Sequence, residues 1–152
     1  MKKVLTLLII SITMALASCD SKNAREFNDK LVNMQKDIVG KVESIIKGSG
    51  EKAANIKSAK IYIDKSLEEI KKVEPVKGGE AFKQAMVDDI DGLSKTYAIL
   101  VKLDEPTITT EEKTTMTNEL QQWLTKINTL DKDVMDEQRK FAKEKGFKLE
   151  YK

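Results

Sequence analysis

Residues 109–146 read TTEEKTTMTNELQQWLTKINTLDKDVMDEQRKFAKEKG, and this stretch decides the fold. Met116, Leu120, Trp123, Ile127, Leu130, Val134 and Phe141 follow one another at spacings of 4, 3, 4, 3, 4 and 7. Apolar residues at that period line one face of a helix. Thr109, with Glu112 three residues later, has the form of a capping box, in which each side chain satisfies the other's free backbone N–H. Gly146 is a suitable stop, because glycine accepts the left-handed backbone that ends many helices. The start, the face and the end of one long helix are thus all written locally.

Working back towards the N-terminus, the same pattern recurs three times. Phe82, Met86, Ile90, Leu93, Tyr97 and Leu100 make the face of a helix over 80–103, which Asp104-Glu105-Pro106 stops. Gly92 lies inside it and costs about 1 kcal/mol relative to alanine; it would allow a neighbouring helix to approach closely. Ile56, Ala59, Ile63, Leu67, Ile70 and Val73 stripe a helix over 51–73, closed off by Pro75 and Gly78-Gly79. Glu68 and Glu69 precede Lys71 and Lys72 on its wet face, at distances where opposite charges meet on a helix. Phe27, Leu31, Met34, Ile38, Val42 and Ile45 stripe a helix over 24–47, ended by Gly48-Ser49-Gly50. No strand pair and no internal repeat is visible. Four long amphipathic helices with short joints predict an all-α, antiparallel four-helix bundle, with spacings near 3.5 that suit shallow left-handed crossing. Two long hairpins that need a second copy to cover their faces are the alternative.

Ahead of the helices, Lys2 and Lys3 precede an apolar run from Val4 to Ala17, broken only by Thr6, Ser11 and Thr13. This is the layout of a secretory signal, and it is short of the roughly 20 residues a membrane span needs. Leu16-Ala17-Ser18-Cys19 resembles the bacterial lipobox. That resemblance implies removal of a lipoprotein signal peptide, residues 1–18. It also implies a diacylglyceryl group on the Cys19 sulfur and an acyl chain on its amine. A thiolate is the side chain with the nucleophilicity this thioether needs. Two or three acyl chains hold a protein on a membrane firmly, whereas one binds reversibly. Cys19 is the only cysteine, so no internal disulfide is available to it. A plain secreted protein with a free thiol is the competing reading. Residues 19–26 then form the lipidated cysteine and a short polar tether, and residues 27–152 the bundle.

Composition removes several functions. The chain has 27 Lys+Arg and 25 Asp+Glu, and two of the lysines are Lys2 and Lys3, so beyond residue 18 the two signs balance. Nucleic-acid binding, which draws on a lasting basic excess, is not expected. Nor are the basic residues suited to bidentate recognition, since only Arg25 and Arg139 are arginines. With no histidine in the chain, there is no imidazole base, no Ser-His-Asp triad and no histidine metal ligand. Asp88-Asp89-Ile90-Asp91-Gly92 hints at a calcium loop, but the glycine falls at position 4 counted from Asp89, not at 6. A solvated acidic face is the simpler reading, and the same holds for Asp131, Asp133, Asp136 and Glu137 among their lysines. Met34, Met86 and Met116 read as core, with an adaptable binding surface as the alternative, and Trp123 on the stripe of the last helix reads as a core anchor. Phe147 and Tyr151 read as a cap on the bundle end, with an exposed aromatic patch as the alternative. No cofactor or metal site is expected.

Glu26-Phe-Asn-Asp-Lys-Leu-Val-Asn-Met-Gln35, Thr110-Glu-Glu and Gln138-Arg-Lys-Phe-Ala-Lys-Glu-Lys-Gly-Phe-Lys-Leu-Glu150 together resemble a family of small, uncharacterised helical surface lipoproteins of Gram-negative bacteria, seen in Bacteroidota and leptospires. The resemblance implies an envelope lipoprotein and brings no catalytic residues with it. Asp20 after the cysteine resembles an inner-membrane retention signal of some Gram-negative bacteria. The run of acids that favours surface export in Bacteroidota is absent, since Ser21, Lys22 and Asn23 follow. The expected address is the envelope, the outer membrane before the inner, on an undecided face. The expected function is a non-enzymatic, membrane-anchored module with a protein partner or a structural role. A periplasmic holdase and a small-molecule or lipid carrier are the alternatives.

Overall fold

Four helices account for the folded chain: α1 (Lys2–Ile46), α2 (Lys52–Lys71), α3 (Glu80–Leu103) and α4 (Thr110–Lys145). They come from a computed structural model that describes the backbone of residues 2–149 and the side chains of residues 20–149. Cys19, the expected lipidation site, lies outside the residues whose side chains are described, and Tyr151 lies outside the described residues altogether. Among the described residues there is no strand, and no helix is long and apolar enough to cross a membrane.

The local signals at the ends of α4 are realised atom for atom. The Thr109 hydroxyl accepts from the Glu112 backbone N–H at 3.2 Å, and the Thr109 N–H donates to the Glu112 carboxylate at 2.8 Å. At the other end, Gly146 has φ 70°, and the N–H groups of Phe147 and Gly146 return to the carbonyls of Ala142 and Lys143. That pair of bonds is a Schellman motif.

The helices run up and down, each against its neighbours in the chain, as an antiparallel four-helix bundle. α3 packs extensively on both α2 and α4, while the backbones of α2 and α4 stay more than 8 Å apart. Phe82, Leu31, Ile63, Ile70, Met86 and Ile90 are the largest fully buried side chains, and they come from α1, α2 and α3. Between α2 and α3, the Ser94 hydroxyl donates to Asp64 at 2.7 Å.

α1 and α4 close the ring at one end only. There Phe27, Phe82, Phe141 and Phe147, all four phenylalanines of the chain, form one cluster. Phe27 meets Phe82 and Phe141 edge-on at 6.2 and 5.7 Å, Phe82 stacks on Phe141 at 6.1 Å, and Phe147 meets Phe141 edge-on at 5.7 Å. Gly79 of the α2–α3 loop lies so close that a Cβ there would come within 2.7 Å of the Phe27 ring. Beside the cluster, Gln138 donates to Asn28 at 2.8 Å and Lys145 to Asp20 at 3.2 Å. Phe147 therefore caps the bundle end, as expected.

Two expectations change. Residues 20–26 are not a loose tether: they belong to α1, and Ala24 is fully buried. The segment is polar but holds neither glycine nor proline, and Ala24, Phe27 and Leu31 continue the buried face by spacings of 3 and 4. The stripe of α4 also differs in depth along its length. Val134 and Phe141 are buried, whereas Met116, Leu120, Trp123, Ile127 and Leu130 are only half-buried and Leu124 is 51% exposed. The first part of α4 rests on α3 alone, since α1 is not there to cover its other flank.

Candidate functional site: an apolar groove beside α1 and α3

Where α4 no longer covers α1, an open groove of about 370 Å³ remains, lined by Val39, Val42, Glu43, Ile46 and Lys47 of α1 and by Leu93 and Tyr97 of α3. The core stripe of α1 runs through Ile38, Val42 and Ile45. Val39 and Ile46 stand at i−3 and i+4 from Val42 and form a second, narrower stripe beside it. Val39 is 55% and Ile46 41% exposed. Branched aliphatic side chains left in water in this way are the marks of an interaction site when they adjoin one another. The signal for them was present in the sequence as a widening of the apolar face by one position, but it lies outside the expected stripe. Leu93 and Tyr97, expected as core, are half-buried walls of the groove. On the α4 side, Leu124 stands two heptads before Gln138, whose amide reaches α1, so its exposed side chain belongs to the same flank.

The groove offers apolar contact, with little ionic chemistry. Glu43 and Lys47 at its rim are paired with each other, and the hydrogen bond and charge from Lys47 lower the Glu43 carboxyl below its ordinary range. Burial raises the Tyr97 phenol.

One titratable group above the groove was read as solvated and is not. Asp88 faces water, but Asp89 is 8% exposed. Its Oδ2 accepts a hydrogen bond from the Gln35 amide of α1 at 3.0 Å. Burial pushes its carboxyl up to about 6; the Gln35 bond opposes this, and the Asp131 carboxylate on α4 adds to it. The sign follows from linkage. Unfolded, the group titrates near 3.8. As pH rises from about 4 to about 6, the unfolded chain loses the proton first, so the folded state becomes less stable and stays so above 6. Asp89→Asn should therefore stabilise the domain at pH 7 by about 1–2 kcal/mol and by nothing measurable at pH 4. Urea denaturation of both proteins at the two pH values checks this, and an equal difference at both would refute the assignment.

The other acidic cluster is the salt-laced surface its neighbours suggested. Asp136 pairs with Arg139 at 3.4 Å and Glu137 with Lys140 at 2.5 Å. Among the described residues no group of three or more acids, cysteines or histidines could hold a metal ion. A second depression, of about 330 Å³, lies between the end of α3 and the start of α4, with Lys95, Lys102, Met116, Glu119 and Trp123 among its walls. The ammonium groups of Lys95 and Lys126 stand 5.1 and 4.6 Å from the Trp123 ring centroid. Trp123 thus joins α4 to α3 through the Lys95 cation–π contact, with Lys126 adding a second from α4 itself, and is a half-exposed latch, not a core anchor.

Comparison of the chain with protein-family models, with curated proteins and with solved structures finds no match.

Proposed function

We propose that this chain is a lipid-anchored protein of the bacterial cell envelope whose helical bundle engages a protein partner and carries out no reaction of its own. The anchor reading rests on Leu16-Ala17-Ser18-Cys19 behind its apolar run, and on the resemblance to helical surface lipoproteins. The observation that carries the partner is the groove. Val39, Val42 and Ile46 together with Leu93 and Tyr97 present the kind of apolar trough into which an amphipathic helix lays its own stripe. From Asp20 to Ile46 α1 rises about 39 Å at 1.5 Å per residue, so the groove stands far from the anchored end, where a partner can reach it.

A photo-crosslinking residue placed at Val39 or Ile46 in intact cells tests this reading, with Ile61 as the control. Ile61 is 62% exposed and lies outside the groove. Positions 39 and 46 should give the same discrete protein adduct and position 61 none. Equal labelling at all three would remove the groove as a docking site, and a retained small apolar molecule on the purified protein would favour the carrier reading. The anchor has its own control: Cys19→Ala should move the protein out of the membrane fraction.

A further inference from the structure

We infer that the end of the bundle formed by the start of α1, the α2–α3 loop and the end of α4 lies directly on an anionic lipid surface. The inference rests on the anchor reading and on two features of the fold. The first is the lack of slack. Asp20 is already helical and bonded to Lys145, and Ala24 is fully buried. Five helical steps lead from Ala24 back to Cys19, a rise of about 7.5 Å. Acyl chains on Cys19 would hold that residue at the headgroups, so the bundle end comes within about one Debye length, roughly 8 Å in physiological salt.

The second feature is charge. Residues 136–148 carry Arg139, Lys140, Lys143, Lys145 and Lys148 against Asp136, Glu137 and Glu144, with Arg139 paired to Asp136 and Lys140 to Glu137, and with Lys143 and Lys148 exposed. At the same end, residues 71–80 add Lys71, Lys72 and Lys77 against Glu74 and Glu80, and residues 20–26 are balanced. The opposite end has the other sign: residues 102–113 hold Lys102 and Lys113 against Asp104, Glu105, Glu111 and Glu112, and residues 41–52 exceed neutrality by one. A chain that is neutral beyond residue 18 thus carries its basic excess where the anchor emerges. Lysines in the last turn of α4 also answer its helix dipole, but Lys77 and Lys148 lie outside any helix and are exposed. Clustered lysines beside a membrane anchor are drawn to anionic headgroups.

The test uses the full lipidated chain, reconstituted into vesicles of phosphatidylcholine alone or with one-third phosphatidylglycerol. Amine acetylation is then followed lysine by lysine by mass spectrometry. Lys72, Lys77, Lys143 and Lys148 should react several-fold more slowly on the anionic vesicles and recover in high salt. Lys52 and Lys113 should not change. Equal rates on both vesicles, with Cys19 shown by intact mass to be lipidated, would overturn the inference and leave the anchor standing. An unmodified Cys19 would overturn both.

Discussion

Phe141→Ala is expected to destabilise the domain by about 3–5 kcal/mol, the range found when a fully buried aromatic is truncated. The ring of Phe141 touches Phe27, Phe82 and Phe147, which come from α1, α3 and the tail. Among the described residues no other side chain joins as many segments through ring contacts. Its loss removes apolar burial, leaves a cavity, and forfeits edge-on and stacked contacts worth about 0.5–1.5 kcal/mol per pair beyond burial. Among the described residues α4 closes on α1 through this cluster and the polar contacts beside it, so the tail and the last turns of α4 should loosen together. Against a total stability of about 5–15 kcal/mol, the loss should bring the urea midpoint down by a large fraction. A change under about 1 kcal/mol would mean that the cluster is not the closure of the bundle.

Gly92→Val should produce a different failure, confined to the other end of α4. A Cβ at Gly92 would lie 2.9 Å from Leu130 Cδ1, 3.6 Å from Ile127 and 3.7 Å from Trp123. Alanine there asks only the tip of Leu130 to move, and its better helix propensity offsets that cost. Valine adds two γ carbons to the same seam, and overpacking of this kind costs about 1–3 kcal/mol. The first part of α4 has α3 as its sole support, so it has no second surface to hold it. Amide exchange over residues 113–127 should accelerate by about tenfold or more, one factor of ten for each 1.4 kcal/mol, while the amides around Phe27 and Phe141 stay protected. Uniform acceleration along the chain would show that α4 opens as a whole.

The parts of this structure that could be read from sequence are those encoded within a few residues. The capping box at Thr109 and Glu112, the Gly146 stop and the bounds of α3 at Glu80 and Leu103 depend on neighbours in the chain. The helical faces were equally legible, because periodicity states which side of a helix is apolar. It does not state how much of that side a neighbour covers, and so the half-buried stretch from Met116 to Leu130 could not be foreseen. Asp89 is the same lesson in a polar residue. Its burial depends on Gln35, 54 positions away, and a run of acids gives no hint of that. Polarity misled in the opposite direction at 20–26, where Ala24, Phe27 and Leu31 already carried the helical signal. The groove is an intermediate case: Val39 and Ile46 show a widened face, but only the departure of α4 turns that width into a surface.

The single closure of the ring has a consequence for the newborn chain. α1, α2 and α3 can pair as soon as each is made, because their contacts are with sequence neighbours, and such local topologies fold quickly. The contact that completes the core joins residues 110 positions apart, Asn28 and Gln138, beside Phe27 and Phe141. Phe141 belongs to α4, which is made after α1, α2 and α3. Until α4 is made, the first three helices are an assembly with one phenyl-lined side open, and closure of the core waits for the turns around Phe141.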